Sequence, residues 1–404
     1  MINKKNILII STIFSTPKAN KGTSVCNYFA SEWNKLGHNV IAIYLHTNYP
    51  LPFYWLASLA IKSIESKTGA IVYTRPDFST YSFLENGVHL YQIPIFKYFP
   101  HKKYTQKSIN QAFSHIVQIL QSRNFIPDII TGHFPNPQIE IVSKLKEMFP
   151  TSLTAVVMHG YNYQIRTLYK NRFQEYYRNI DVWGFRSNAI KEDFVKLYGT
   201  PNKSFICHSG IPAYYLDNIP DRSTKNCHKN FIFCGNLIKR KYPEKVLEAL
   251  DIAFPNNDFT LTYVGSGGEL RNLKKIATGR TNIKFLGQIP RKEIILELDK
   301  ADCMIMISKS EAFGLVYLEA MARGCIVVAS RNEGMDGIIH NGENGFLCEA
   351  GNATELSNII KFINTLDQKQ IANIVSQSIL TASLMTDRKV AEDYLEHLSL
   401  NVND

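Results

Sequence analysis

The sequence predicts an α/β protein built from two Rossmann-like, doubly wound domains. Three observations carry that reading. Short β-branched or apolar runs alternate with longer amphipathic segments, the pattern of βα units stacked on a parallel sheet. The alternation breaks once, in a stretch from Ser209 to Asn230 that contains Pro, Asp, Asn and Ser, and then restarts. A chain of 404 residues, at roughly 150 residues per domain, has room for two cores. We expect a first domain over residues 1–208, a linker over 209–229, a second domain over 230–384 and a closing helix over 385–404.

The first strand is expected at Asn6–Ser11. Its basic lead-in could pass for a signal peptide, but the apolar run is short and no small-residue cleavage site follows, so a buried strand is the better reading. Further strands read at Asn39–Tyr44, Val88–Pro94, Asp128–Gly132, Leu153–Met158 and Asp181–Phe185, with helical patterns between most of them. After the break come Phe231–Cys234, Thr260–Val264, Ile283–Leu286, Cys303–Ile307 and Ile326–Ala329. Leu315–Arg323 reads as a helix between the last two. Arg388–Leu398 places apolar residues at 390, 391, 394, 395 and 398 on one helical face, which predicts docking, back toward the first domain.

Composition narrows the class. With 45% apolar and 20% charged residues the chain is neither disordered, collagenous nor coiled coil. The longest apolar stretch outside the first strand, Phe53–Ile61, falls short of the ~18 residues of a membrane span. Seven scattered cysteines (26, 207, 227, 234, 303, 325, 348) without a Cys-x-x-Cys pair indicate no disulfide framework or zinc ribbon and fit a reducing cytoplasm. Charge is uneven: residues 1–200 hold 22 Lys+Arg and 11 Asp+Glu, a balance of +11, against 23 and 24 in the remainder. A one-sided balance of this kind suggests an anionic partner, such as phosphate-bearing lipid or polymer. Lys97, Lys102 and Lys103, interleaved with Tyr98, Phe99 and Tyr104, are the candidate contacts, with His133, at a strand end, a further binding candidate. No RNA-binding signature or basic helix points to nucleic acid.

Several chemistries fail on spacing. Gly265-Ser-Gly267-Gly268 lacks the third glycine of a dinucleotide fingerprint, Leu270 standing there. No phosphate loop, Gly-x-Ser-x-Gly elbow or His-Glu-x-x-His helix is present. No two aspartates lie two residues apart, so no Asp-x-Asp metal clamp and no divalent cation is implied. The strongest positive signal is Ser308–Gly324, with Glu311 and Glu319 on either side of Gly314. Gly314 lets the backbone approach a ligand, and the helix beginning at Leu315 offers unpaired N–H groups and a positive dipole end to an anion. At ~1.5 Å rise per residue the two acids lie up to ~12 Å apart, about the span of a sugar and a ribose flanking a diphosphate.

These residues resemble the Glu-x7-Glu signature of the family-4 retaining glycosyltransferases of the GT-B fold, and other segments follow that family's order over roughly 340 residues. Lys21-Gly22-Thr23 lies where the family has its glycine loop. Leu36-Gly37-His38-Asn39-Val40 is similar to its Arg-Gly-His-x-Val turn. Asp128-Ile-Ile-Thr-Gly-His133 and Val156-Val-Met-His159-Gly160 resemble its strand-end histidine segments. Ser209-Gly210-Ile211 resembles its Asn-Gly-Val, and Phe233-Cys-Gly235-Asn236-Leu-Ile-Lys-Arg240-Lys241 its diphosphate loop. Val264-Gly-Ser-Gly267, Phe285-Leu-Gly287 and Asn344-Gly345-Phe complete the second domain.

The resemblance implies metal-free, cofactor-free transfer of a hexosyl or N-acetylhexosaminyl group from a nucleotide-sugar, expected to be a UDP-sugar, to a glycan or lipid-linked acceptor. The setting would be bacterial surface polysaccharide synthesis, in the cytoplasm, with peripheral contact at the inner face of an anionic membrane. By the same resemblance Glu319 would hold the ribose, Lys241, Arg240 and the N–H groups near Gly314 and Leu315 the diphosphate, and Glu311 and His159 the sugar. Gly22, Gly235, Asn236, Gly265 and Phe313 would complete the donor site. Asn236 stands where the family has Arg and Tyr242 where it has Gly. Those departures keep a catalytically weak sugar-nucleotide-binding subunit as one alternative, beside a GT-B epimerase or phosphorylase.

Overall fold

The structure, a computed structural model, describes residues 4–16, 25–68, 73–100, 102–161, 163–169, 172–222 and 228–400. Two sheets organise it. The first contains β1 (Asn6–Ser11), β2 (Asn39–Asn48), β3 (Tyr81–Glu85), β4 (Val88–Phe96), β5 (Ile129–His133), β6 (Leu153–Met158), β7 (Val182–Phe185) and β8 (Ser204–Ile206). Their spatial order is β3-β4-β2-β1-β5-β6-β7-β8, parallel except where β3 pairs antiparallel with β4. The second contains β9 (Asn230–Cys234), β10 (Thr260–Val264), β11 (Ile283–Gly287), β12 (Cys303–Ile305), β13 (Ile326–Ser330) and β14 (Phe346–Cys348), all parallel, in the order β11-β10-β9-β12-β13-β14.

Ile7 to Ile10 of β1 are fully buried, because helices cover both faces of a parallel sheet and the strand must be apolar throughout. Alternation survives inside the core: Ile7 and Ile9 face one cluster, Leu8 and Ile10 the other. Three strands went unforeseen. β3 is a half-exposed edge strand carrying Ser82 and Glu85, and β8 and β14 have three residues each, too few for a period to show. The strand expected over Cys303–Ile307 stops at Ile305; after a last bond from the Met306 N–H to the Val328 carbonyl at 3.2 Å the chain turns into the loop before Gly314.

The two strand orders share one property. From β1 the chain winds outward through β2 and β4, then returns to lay β5 on the opposite side of β1; from β9 it winds to β10 and β11, then returns to β12. Each reversal opens a crevice at the C-terminal strand ends, where ligands sit in open α/β sheets.

The helix Asp387–Leu400 docks on the first domain, as its apolar face predicts. Trp33 in the helix Val25–Lys35 donates its indole N–H to the Ala391 carbonyl at 2.9 Å. Tyr394 packs edge-on against Phe29 and Trp33 at centroid distances of 5.1 and 5.2 Å. Two chain segments therefore connect the domains, and they meet. The Ile211 N–H donates to the Met385 carbonyl at 3.0 Å, and the Asp387 N–H to the Ile211 carbonyl at 2.8 Å. A Cβ on Gly210 would lie 2.4 Å from the Asp387 nitrogen, so only glycine lets the two segments close on each other.

If the crossing couples the domains, the native chain should unfold in one calorimetric transition, and Gly210→Ala should separate the segments, lower the melting temperature and give two transitions. One unchanged transition would refute the coupling. A second expectation concerns the Asp387 carboxyl, which burial raises to about 7, with Arg291 opposing. Unfolded Asp titrates near ~3.9. The folded state therefore holds the extra proton between about 4 and about 7, and the contribution of Asp387 to stability falls as pH rises through that window. The stability of Asp387→Asn relative to the native chain should accordingly increase from pH ~4.5 to ~7.5 in denaturant titrations.

Candidate active site

The crevices of the two sheets supply the site. At the second, Gly314 adopts φ 87° and opens the helix Leu315–Ala322. A Cβ there would fall 2.4 Å from the Tyr317 ring. The Tyr317 N–H turns back to the Gly314 carbonyl at 3.0 Å, while the N–H groups of Leu315 and Val316 precede any intrahelical acceptor and point into the crevice.

The loop before this helix is held by Glu333. Its carboxylate accepts the N–H groups of Ser310 and Glu311 at 2.9 and 2.8 Å, and the Tyr161 hydroxyl of the other domain at 2.9 Å. Ser310 itself sits at φ 56°, a conformation that needs such support. The Glu311 carboxylate lies 3.0 Å from Lys241 Nζ and 3.6 Å from the Arg240 guanidinium. Arg240 also donates to the carbonyls of Lys309 and Ser310 at 3.3 and 3.2 Å. Gly235 and Gly265 form the floor: a Cβ on Gly265 would overlap the Gly235 carbonyl oxygen at 2.0 Å. Asn236 is exposed beside them.

Glu319 is buried one turn into the helix, and burial raises its carboxyl above the usual range, against the pull of Arg291. Arg291 grips it with Nε at 2.8 Å and a second nitrogen at 2.6 Å. The remaining guanidinium nitrogen donates to the Tyr28 hydroxyl of the first domain at 2.9 Å, so this ion pair also spans the domains.

On the opposite wall His133 ends β5, fully buried. Its Nδ1 lies 2.9 Å from His159 Nε2 and its Nε2 lies 3.3 Å from the Tyr394 hydroxyl. Phe134, at φ 71°, stacks on His159 with centroids 3.9 Å apart. Burial first, and then the charge of Arg186, push His133 down to about 3; burial, His133 and Arg186 push His159 well down too. Both rings are neutral at pH 7 and act as one-donor, one-acceptor groups. Arg186, just past β7, is itself buried, hydrogen-bonded to the Cys207 carbonyl at 2.8 Å and to Ser209 Oγ, and lies over the Phe313 ring at 5.1 Å. Among the described residues no carboxylate pairs with it.

Thus Glu311, Lys241, Arg240, Gly235, Gly265, Phe313, Gly314, Leu315 and Glu319 line or underlie one crevice, with His159 on the other. Gly22 lies outside the described residues. The acceptor or membrane candidates are corrected in part. Lys97 is not a free surface cation: it is wedged over the Tyr104 and Tyr49 rings at 4.7 and 5.7 Å, and burial lowers its pKa to about 8. Lys103 pairs with the buried Glu140 at 3.3 Å. Tyr104 and His133 are buried and offer no outward surface, whereas Lys102, Tyr98 and Phe99 are exposed. Sequence reasoning missed Glu333, Tyr161, Arg291, Arg186 and Tyr394. One signal was present for Arg291: the helix LVYLEAMA has a single acid and no polar face, and a buried acid needs a cation.

The chain is similar to known proteins over both domains. Residues 217–377 match the family model described as glycosyl transferases group 1. An uncharacterized glycosyltransferase of Methanocaldococcus jannaschii is 25% identical over 343 residues, 78% of this chain and 86% of that protein. Among solved structures, a glycosyltransferase from Rickettsia africae superposes with a TM-score of 0.70 at 19% identity over 100% of both chains. The Anabaena protein HepE in complex with UDP gives 0.66 at 17% identity, over 98% of this chain and 100% of that one. The fold is GT-B.

Arg291→Met should cost ~3 kcal/mol of stability, the low end for breaking a buried pair because the Arg291 side chain is 30% exposed. Adding Glu319→Leu should restore most of it, because the stranded carboxylate is the source of the loss. Urea titrations of the single and double variants check this; a double variant no better than the single would contradict it.

Proposed function

We propose that the protein is a retaining glycosyltransferase that moves a hexosyl or N-acetylhexosaminyl group from a UDP-sugar to a glycan or lipid-linked acceptor in bacterial surface polysaccharide synthesis. The observation that carries this reading is the Lys241–Glu311 pair, 3.0 Å apart and set before the helix start at Gly314. The solved complex of HepE with UDP supports the choice of nucleotide.

In the transfer, the bond from the anomeric carbon to the diphosphate oxygen breaks and negative charge grows on the departing group. Lys241, Arg240 and the N–H groups at Leu315 are arranged to receive it, and such preorganised cations and dipoles stabilise the transition state without an added metal. Lys241 is paired with Glu311 before donor binds. A diphosphate draws the ammonium away, and the released carboxylate then accepts the sugar's hydroxyls. Glu319, with its charge partly balanced by Arg291, takes the ribose. His159 contacts the sugar from the first domain, and the acceptor hydroxyl attacks from the face that the diphosphate leaves, forming the new C–O bond and passing its proton to the departing diphosphate oxygen.

The departure at Tyr242 favours an active enzyme over a binding subunit. Tyr242 adopts φ 48°, ψ 47°, the left-handed conformation that a glycine takes readily, so the turn after Lys241 is kept despite the larger residue. Peripheral membrane contact is supported by the +11 balance of residues 1–200 and by the exposed Leu51, Trp55, Leu56 and Leu59 of the helix Leu51–Thr68. No helix among the described residues is long and apolar enough to cross a membrane.

Calorimetry with UDP and product analysis with UDP-sugars test the reading. Saturating UDP should stabilise the fold by ~2.7 kcal/mol at a hundredfold excess over Kd. Lys241→Ala should weaken UDP binding at least tenfold. Glu311→Gln should cut turnover at least a hundredfold with UDP affinity within about threefold, since one lost charged contact in the transition state is worth ~2.7 kcal/mol. Chelator should leave transfer intact. UDP affinity unchanged in Lys241→Ala, or equal losses of affinity and turnover in Glu311→Gln, would overturn the assignment.

A further inference from the structure

A groove of about 1020 Å³ lies in the first domain, between the end of β4 and the helix Gln106–Ser122. Its two walls differ in chemistry. One is aromatic: Phe78 and Tyr98 stand there, each 60% exposed. The other is a stripe of Lys107, Gln111, Ser114 and Gln118, one face of the helix at the spacing of successive turns. Lys107 is the one Lys, Arg, Asp or Glu in the helix and, among the described residues, in the groove lining. A solvated helix face commonly carries ion pairs three or four residues apart; here amides and a hydroxyl take their place. His115, also in the lining, has a buried Nδ1 with no hydrogen-bond partner.

Flat aromatic faces opposite neutral amides and hydroxyls match a ligand that is uncharged, rich in hydroxyls and has apolar C–H faces. An anionic bilayer would need cations where the groove has one. A purely apolar chain would leave the amides unpaired. The volume is at the upper limit of small-ligand clefts, ~300–1,000 Å³, and holds more than one sugar ring. Position supplies the second argument. Thr105 caps the helix at the end where β4 finishes, which is the cleft end of a parallel sheet. The loop between them is tied to the histidine wall through Asn136, whose amide donates to the Lys102 carbonyl at 3.1 Å.

We propose that this groove binds a neutral oligosaccharide, the already-built part of a glycan acceptor, and leads it away from the cleft along the helix. This rests on the transferase reading for the ligand's role, but not for its binding. The probes are maltohexaose, cellohexaose and a β-1,3-linked glucose hexamer, each compared with glucose by saturation-transfer NMR and titration. The expected result is at least one hexamer binding at least tenfold more tightly than glucose, weakened at least tenfold by Phe78→Ala combined with Gln111→Glu. Both residues are exposed or at the rim, so melting temperature and UDP affinity should stay unchanged. Tyr98→Ala is the independent second variant and should weaken the same hexamer.

No hexamer binding to the native chain, or binding that both variants leave intact, overturns the groove. So does loss in the same variants of binding to vesicles of phosphatidylglycerol and phosphatidylcholine without loss of hexamer binding, which would make the face a membrane contact. UDP titration on the same samples keeps this separate: absent UDP binding refutes the transferase reading and leaves hexamer binding to be judged by itself.

Discussion

The contact on which the architecture turns is the one between the two segments that connect the domains. At Gly210 and Ile211 the outgoing chain lies against Met385–Asp387 of the returning chain, with hydrogen bonds of 3.0 and 2.8 Å. A parallel sheet fixes where its own crevice opens, but nothing within one sheet determines what that crevice looks at. That is determined by the crossing. With both segments bonded at one point, rotation of one domain relative to the other is confined to that neighbourhood. The helix start at Gly314 and the histidine wall at the end of β5 therefore confront each other and not solvent.

Across this gap the charges are arranged unevenly. The second domain's acids are answered locally, Glu311 by Lys241 and Arg240, Glu319 by Arg291. On the first domain's side the buried Arg186 meets neutral histidines, the Cys207 carbonyl, Ser209 and the Phe313 ring. Its charge, undiminished by a carboxylate among the described residues, adds to that of the helix start beside Phe313 and favours an anion between the walls. Burial lowers the pKa of Arg186, which is the electrostatic cost of keeping a cation there unpaired.

Much of this was readable from the chain itself, and the limits of reading it are physical. β1 and β13 fall where runs of buried, almost wholly apolar residues place them, because a strand covered on both faces reads as a near-continuous apolar run. β8 and β14 were invisible at three residues each. Glu311 and Glu319 stand out because a glycine and a helix start lie between them. The residues that hold them do not: Glu333 and Arg291 come in from 22 and 28 positions away, and Tyr161 reaches Glu333 across 172. Lys97 was misread for a related reason. Spacing cannot tell that Tyr104 turns inward and draws Lys97 over its ring.

The docking of Tyr394 beside Trp33 and His133 bears on how the molecule is made. Trp33 bonds a carbonyl 358 positions further on, and the aromatic layer over β1 and β5 closes only with Phe29, Trp33 and Tyr394 together. A ribosome adding ~5–20 residues per second delivers the beginning of that layer many seconds before its end. During that interval the second domain can complete its own sheet, while the first, though synthesised earlier, still shows an uncovered apolar face. The order of synthesis and the order of completion are thus opposed. The half that emerges first is the half that needs shielding until the last helix arrives.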